Sequence, residues 1–184
     1  MSKLHLGCGS FIKEGFVNID IIPRPNNTGN YIQHDLSTGT LPCCVGEVDY
    51  IYSSHFFEHL TDEQAFKLME SCYKRLQPGG KMRILVPDFM NVYQHWVQHD
   101  TRWFDEVFDL YSIGFRRELA TQLDYISYCV YQFGEHKSIW NFLKFDKYLT
   151  VAGFQPPTNP DYSDEIDGDR EDRRRYSLVV EAVK

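Results

Sequence analysis

Three groups of residues in this chain have side chains or backbone suited to chemistry. The first is Gly7-Cys8-Gly9-Ser10, with Asp20 a short way on. Glycines let backbone approach a ligand closely. A carboxylate closing the next strand can take both hydroxyls of a ribose. Together they propose a nucleoside-containing ligand. The second group is His55-Phe56-Phe57-Glu58-His59, two imidazoles flanking a carboxylate. The third is His136, in the break Glu135-His136-Lys137 between helical stretches. Histidine is the usual proton acceptor near neutral pH. His136 is the first candidate general base, with His55 and His59 as alternatives.

Several of these residues also invite a metal reading. The letters from His55 to His59 spell H-x-x-E-H, a zinc signature whose two histidines share a helix face. Here the run follows a strand directly, and the clear helix cap comes later, at Thr61, so no metal is expected. His95 and His99 are four apart on a helical stretch without an evident third ligand, which predicts a packed or exposed pair. The acidic run 161–172 resembles a calcium loop in composition. With Gly168 as the required glycine, the first and twelfth positions are Ser163 and Arg174, and neither end fits. A solvated loop is expected. The five cysteines form no C-x-x-C pair and no even framework, which favours reduced thiols over disulfides or zinc.

The elements that must position these groups follow from pattern. Residues 3–6 alternate polar and apolar and run into the glycine turn, and residues 16–20 alternate again and stop on Asp20. The link between them barely reaches the ~10–12 residues of a whole crossover, so it holds at most one helical turn, around Phe11-Ile12-Lys13. Residues 31–33 give a brief third strand and 48–53 a fourth, with the histidine run at its end. Thr61 and Gln64 fit a capping box. Ala65, Leu68, Met69, Cys72 and Leu76 share a face of the helix that follows. Pro78-Gly79-Gly80 stops that helix, and residues 81–86 make the next strand. From 89 to 134 the pattern is helical. Phe104, Val107, Phe108 and Tyr111 share one face; Phe115, Leu119, Leu123, Ile126, Val130 and Phe133 share another. Ser138 can cap a last helix that Gly153 ends, and residues 176–183 close the chain as a strand. Alternating elements with short loops indicate a parallel α/β sheet.

Composition narrows the function. The chain has 184 residues, 42% hydrophobic and 24% charged, which suits one soluble domain. A net charge of −7 argues against a nucleic-acid-coating surface. No apolar run approaches the ~20 residues of a membrane span, and no secretory leader is visible. A cytoplasmic protein without membrane or nucleic-acid partners is expected.

The motifs LHLGCGS, NID, HDL, VDYIYSSHFFEHL, RLQPGGKMRILVPD, AGF and SLVVEAVK occur in an order that resembles a class I S-adenosylmethionine-dependent methyltransferase. The chain resembles most the small branch with a shortened first crossover. The resemblance implies an α/β Rossmann-like open sheet, mostly parallel with an antiparallel C-terminal strand. It implies one domain, 1–184, with 89–148 as an aromatic-rich helical cap. The implied cofactor is S-adenosylmethionine, released as S-adenosylhomocysteine. Gly7, Gly9 and Ser10 would lie under its methionyl part and ribose, although Phe11 stands where the family often has a third glycine. Asp20 would hold the ribose, and Asp35 and Leu36 the adenine. Ser53 and Ser54, with His55, would present backbone to the methionine amino group. The run at 55–59 then matches the family's x-x-x-E-H-L. The acceptor is expected to be a small molecule or saccharide, methylated on O or N. It would sit in a pocket lined from among Tyr93, Trp96, Trp103, Tyr111, Tyr131 and Trp140. Two alternatives remain. One is a catalytically inactive module that keeps the fold and binds a partner or nucleotide. The other is an NAD-dependent enzyme, disfavoured because its third glycine would fall at Ile12 and no Tyr-x-x-x-Lys pair exists.

Overall fold

The structure, a computed structural model, describes residues 2–24, 30–42, 47–111 and 121–184, with the backbone course alone for 107–111. The described residues form six strands: β1 Ser2–Leu6, β2 Val17–Asp20, β3 Tyr31–Gln33, β4 Val48–Ser54, β5 Leu76–Pro87 and β6 Ser177–Val183. The helices are α1 Asp62–Arg75, α2 Phe89–Val97, α3 Thr101–Tyr111, α4 Gln122–Tyr131, α5 Phe142–Ala152 and the short α6 Asp164–Asp167 and α7 Glu171–Tyr176. The strands form one sheet in the order β3-β2-β1-β4-β5-β6. Every pairing is parallel except that of β5 with β6. The mostly parallel sheet with an antiparallel last strand is thus present, and β6 lies at its edge. Strand order reverses between β1 and β4, and a crevice forms outside the carboxyl ends of strands at such a point.

The two faces of the sheet are covered differently. Leu4, Leu6, Ile19, Ile51, Met82, Ile84 and Val180 meet α1 and α5 through Leu68, Met69, Phe145 and Leu149. The capping box of Thr61 and Gln64 starts α1, and Ala65, Leu68, Met69 and Cys72 are its buried stripe. Asn141, not Ser138, caps α5, with its side chain 2.8 Å from the Lys144 N–H. The Ser138 hydroxyl is engaged elsewhere, by Trp140 Nε1 at 2.8 Å and the Phe57 carbonyl at 3.4 Å. Leu76 leaves α1 directly into β5, opposite Val48, five residues before the strand predicted from Lys81. The Pro78-Gly79-Gly80 turn is drawn into the ladder because Gly79 and Gly80 exchange backbone bonds with Lys184.

On the opposite face, residues 7–16 hold turns and no helix, so the helical turn predicted around Ile12 is absent. Buried Asn18 fastens this link instead. Its side-chain oxygen accepts from the Lys13 N–H at 2.8 Å, and its amide donates to the Lys13 and Phe16 carbonyls. A second cover comes from residues 161–170. Asp167 takes both arms of Arg83, at 2.9 and 2.6 Å, under Tyr50, Tyr52 and Tyr162. The acidic run is therefore no solvated loop: its two short helices bring a carboxylate into the sheet. Helices α2 to α4 pack around Val92, Phe104, Tyr125 and Cys129. His95 pairs with Asp100 and stacks on Trp103, which fixes it as a packed residue. Phe115 and Leu119 lie outside the described residues, as do the side chains of Val107, Phe108 and Tyr111. Among the described residues no helix is long and apolar enough to cross a membrane.

Candidate functional site

The glycine turn lies at the strand-order reversal. Gly7 has φ +61°, and a Cβ there would fall 2.2 Å from Phe56 Cγ, so the position admits only glycine. Gly9 has φ +51°, but a Cβ there would meet nothing within 4 Å: its free face opens on a cavity. The turn is fastened to β2. Gly7 and Cys8 donate to the Ile19 carbonyl at 2.9 and 3.2 Å, and the Gly9 N–H donates to Asp20 Oδ2 at 2.7 Å. Asp20 Oδ1 accepts from the Ile22 N–H at 3.1 Å. A carboxylate offers about four acceptor sites, so roughly two remain beyond this latch.

Two cavities meet at the turn. One, of about 510 Å³, is walled by Gly7, Gly9, Asp20, Asp35, Leu36 and Phe56 among others. The other, of about 750 Å³, takes in Ser10, Tyr52, Ser54 and Arg170. Gly7, Gly9, His55 and Glu135 belong to both walls. Asp35 caps the 3-10 turn Leu36–Thr38 through the Ser37 N–H at 2.9 Å, and the Ser37 side chain together with that N–H holds its carboxyl below the usual range. Ser53 lines neither cavity. Its side chain is fully buried and donates to the Leu6 carbonyl at 3.3 Å.

A third, smaller cavity of about 100 Å³ adjoins these and is lined by His55, Glu58, His59, His136, Tyr128 and Arg173 among others. His55 borders all three cavities. Its backbone is held at φ +50°, a conformation uncommon outside glycine. Its Nε2 lies 2.8 Å from Ser177 Oγ, and its Nδ1 is 3.4 Å from Glu58 Oε1. Burial, with Arg173 and Arg170 nearby, drives its pKa well below the usual imidazole value. His59 Nδ1 lies 3.2 Å from the Glu135 carbonyl, and His136 Nδ1 lies 2.8 Å from the Cys129 carbonyl. A carbonyl only accepts, so each Nδ1 carries the hydrogen and each Nε2 keeps a lone pair. The two rings meet edge to face, centroids 4.9 Å apart. Burial lowers both pKa values. The Glu58 carboxyl is buried, accepts no hydrogen bond among the described residues, and is pushed up to about 8 by desolvation. The Glu58 backbone carbonyl accepts from the N–H groups of Lys137 and Ser138, and so ties the His136 segment to the histidine run. Ligand atoms of Glu58, His59 and His136 lie within 4.8 Å of one another, a group able to hold a metal ion.

No protein-family model matches the sequence, and no curated protein matches it. Solved structures do match. One is the S-adenosylmethionine-dependent methyltransferase SibL in its apo form, at 13% identity and TM-score 0.56, covering 100% of this chain and 50% of that one. Another is a methyltransferase from Archaeoglobus fulgidus, at 16% and 0.56, covering 100% and 86%. A third is human N-acetylserotonin methyltransferase, solved with S-adenosylmethionine, at 16% and 0.54, covering 99% and 47%. The chain has the class I methyltransferase fold. It spans about half the length of SibL and of the human enzyme.

On this methyltransferase fold, the residues picked from sequence divide clearly. Gly7, Gly9, Ser10, Asp20, Asp35, Leu36 and Ser54 line the two larger cavities, and His55, His59 and His136 meet at the third. Ser53 is turned into the core. The aromatics that line the small cavity are Tyr125, Tyr128 and Tyr176. The predicted ones sit elsewhere. Tyr93, Trp96 and Tyr131 are exposed, Trp140 is core, Trp103 packs on His95, and the Tyr111 side chain lies outside the described residues. Sequence reasoning noted Glu58 but gave it no role of its own, and it missed Arg173. The letter Glu58 stood between the histidines, but nothing local marks Arg173 as facing them.

Proposed function

We propose that the chain is a methyltransferase that binds S-adenosylmethionine across the carboxyl edge of β1, β2 and β4. On this reading it methylates an oxygen or nitrogen of a small-molecule or saccharide acceptor. The observation that carries the reading is the pair of joined cavities around Gly7 and Gly9, with Asp20 holding the turn. Their sizes fall in the range of about 300–1,000 Å³ usual for ligand pockets. The residues fit the cofactor: Gly9 leaves open space, Asp20 keeps acceptor sites, and Asp35 and Leu36 offer a carboxylate and an apolar wall. Ser54 and His55 would supply backbone to the amino-acid end. The residues from 89 to 148 would act as a cap within a single domain 1–184.

Bound S-adenosylmethionine supplies a methyl group on a sulfonium that is already an activated leaving group. What the chain must add is alignment and exclusion of water. Orientation can supply about 7–11 kcal/mol in favourable cases. A proton acceptor is needed only for a hydroxyl or a protonated amine. His59 and His136 line the small cavity, each with its Nδ1–H held by a carbonyl and its Nε2 lone pair left over for that role. His55, at the junction of the cavities, is the third candidate. Calorimetric titration with S-adenosylmethionine, S-adenosylhomocysteine and NAD tests the reading. Micromolar binding of the first two with none of the third is expected. Absence of binding to all three would instead favour a non-catalytic module.

A further inference from the structure

We propose that Glu58, His59 and His136 bind one divalent first-row transition-metal ion. Two imidazoles and one carboxylate with an open side are the donor set of sites that keep a position for water or substrate. Three features of the structure point to a ligand there. First, the ligand atoms converge within 4.8 Å. Second, the tautomers are already set. A metal-ligating histidine almost always donates its other ring N–H to a carbonyl or carboxylate. Here the carbonyls of Glu135 and Cys129 take the Nδ1–H of His59 and His136, which leaves both Nε2 atoms for an ion. Third, Glu58 is buried to 2% exposure with neither carboxylate oxygen hydrogen-bonded. A buried carboxylate without a hydrogen bond costs several kcal/mol unless coordinated; His55 Nδ1 comes no nearer than 3.4 Å to Oε1, and a cation would supply a direct partner.

The sequence hid this site because the third ligand comes from far along the chain. The H-x-x-E-H letters suggest that both histidines would ligate from one helix. In the structure His55 turns its Nε2 to Ser177, and His136 stands in its place. The short 3-10 turn Phe57–His59 presents Glu58 and His59 as neighbours, and the bonds from Lys137 and Ser138 to the Glu58 carbonyl bring His136 to them. The small cavity in front, lined by Tyr128, Gln132 and Arg173, gives room for an oxygen ligand from outside the chain. If the chain is the methyltransferase proposed above, on which this role alone rests, an ion here would supply Lewis acidity to an oxygen acceptor. His59 and His136 would then be ligands, and His55, held by Ser177, the imidazole outside the ion's coordination at the junction.

The test uses the metal alone. Chelator-treated protein is titrated with zinc chloride, and in parallel with cobalt(II) chloride, without S-adenosylmethionine. One equivalent of zinc per chain, a visible cobalt spectrum of low-coordinate nitrogen and oxygen ligation, and a raised melting temperature are expected. Glu58→Gln and His136→Gln should each weaken zinc by more than the ~10–100-fold that follows loss of an outer partner. His99→Gln, on an exposed residue outside the cluster, should leave zinc affinity unchanged. Glu58→Gln keeps the size and shape of the side chain, so it is expected to fold; circular dichroism checks this. Folded wild-type protein that binds no stoichiometric metal would overturn the proposal. So would equal zinc affinity in folded Glu58→Gln. A protein that binds zinc but no S-adenosylmethionine would sink the methyltransferase reading and leave the metal site standing.

Discussion

Asp20→Ala separates two jobs that the structure gives one side chain. Its carboxylate latches the glycine turn through Gly9 N–H at 2.7 Å and Ile22 N–H at 3.1 Å. Its remaining acceptor sites are those assigned to the ribose. A hydrogen bond to a charged group is worth about 1.5–3 kcal/mol. Two bonds to ribose hydroxyls, less the cost of ordering them, leave about 3 kcal/mol, or about 100-fold in affinity at 1.4 kcal/mol per tenfold. The latch should appear separately in stability. Losing about 1–3 kcal/mol from a chain of this size lowers the melting temperature by about 2–12 °C at 2–4 °C per kcal/mol. Calorimetric titration with S-adenosylmethionine on the folded variant reads the first effect, and a thermal melt without ligand reads the second. Asp20→Asn keeps one oxygen and the shape, and should fall between wild type and Asp20→Ala in both. A folded Asp20→Ala that binds S-adenosylmethionine within threefold of wild type would refute the ribose assignment, whatever its melting temperature.

The two turn glycines should behave differently. Gly7→Ala drives a methyl into Phe56 and should abolish the folded state or lower its melting temperature steeply, whereas Gly9→Ala costs about 1–2 kcal/mol of left-handed backbone and should fold but lose cofactor affinity; melts and titrations on both decide this. Asp167→Ala leaves the buried Arg83 charge with only the Asp161 carbonyl and the longer Glu181 contact at 3.8 Å and should cost about 3 kcal/mol, while the double variant Arg83→Met with Asp167→Leu should cost clearly less in urea unfolding. His5 is buried against Tyr52, and desolvation lowers its pKa to about 4 from 6.5. The unfolded chain therefore binds more protons between those values, so stability is full above pH 6.5 and lost as pH falls toward 4, by about 3 kcal/mol. His5→Gln should flatten that stretch of the stability-versus-pH curve; an unchanged slope would show that other groups cause it.

Local signals were legible wherever the neighbours along the chain decide the outcome. The Thr61 and Gln64 box, the Ala65-to-Cys72 stripe, the Gly153 stop and the places of β1, β2 and β6 all follow from nearest neighbours. The glycine turn and Asp20 were readable for the same reason: turn and strand end adjoin in sequence. What failed depended on partners far away. Ser138 has the right chemistry for a helix cap, but Trp140 and the Phe57 carbonyl claim its hydroxyl. Asp167 reads as one more solvated acid until Arg83 is seen beneath it. The aromatic stripe of the cap gave hydrophobic faces but not their direction, so Tyr125 and Tyr128 line the cavity while Tyr93 and Trp96 face outward. His59 and His136 approach each other because the Glu58 carbonyl and His59 Nδ1 bind a segment from beyond α4.

The most direct test of the central claim is a crystal structure of the chain with S-adenosylhomocysteine. The adenosine should lie in the cavity between Asp20 and the Asp35-Leu36 turn, the ribose hydroxyls should reach Asp20, and the sulfur should point past Gly9 toward His55 and the small cavity. A structure at saturating S-adenosylhomocysteine with that crevice filled by the protein's own side chains, or with the nucleoside bound elsewhere, would contradict the account.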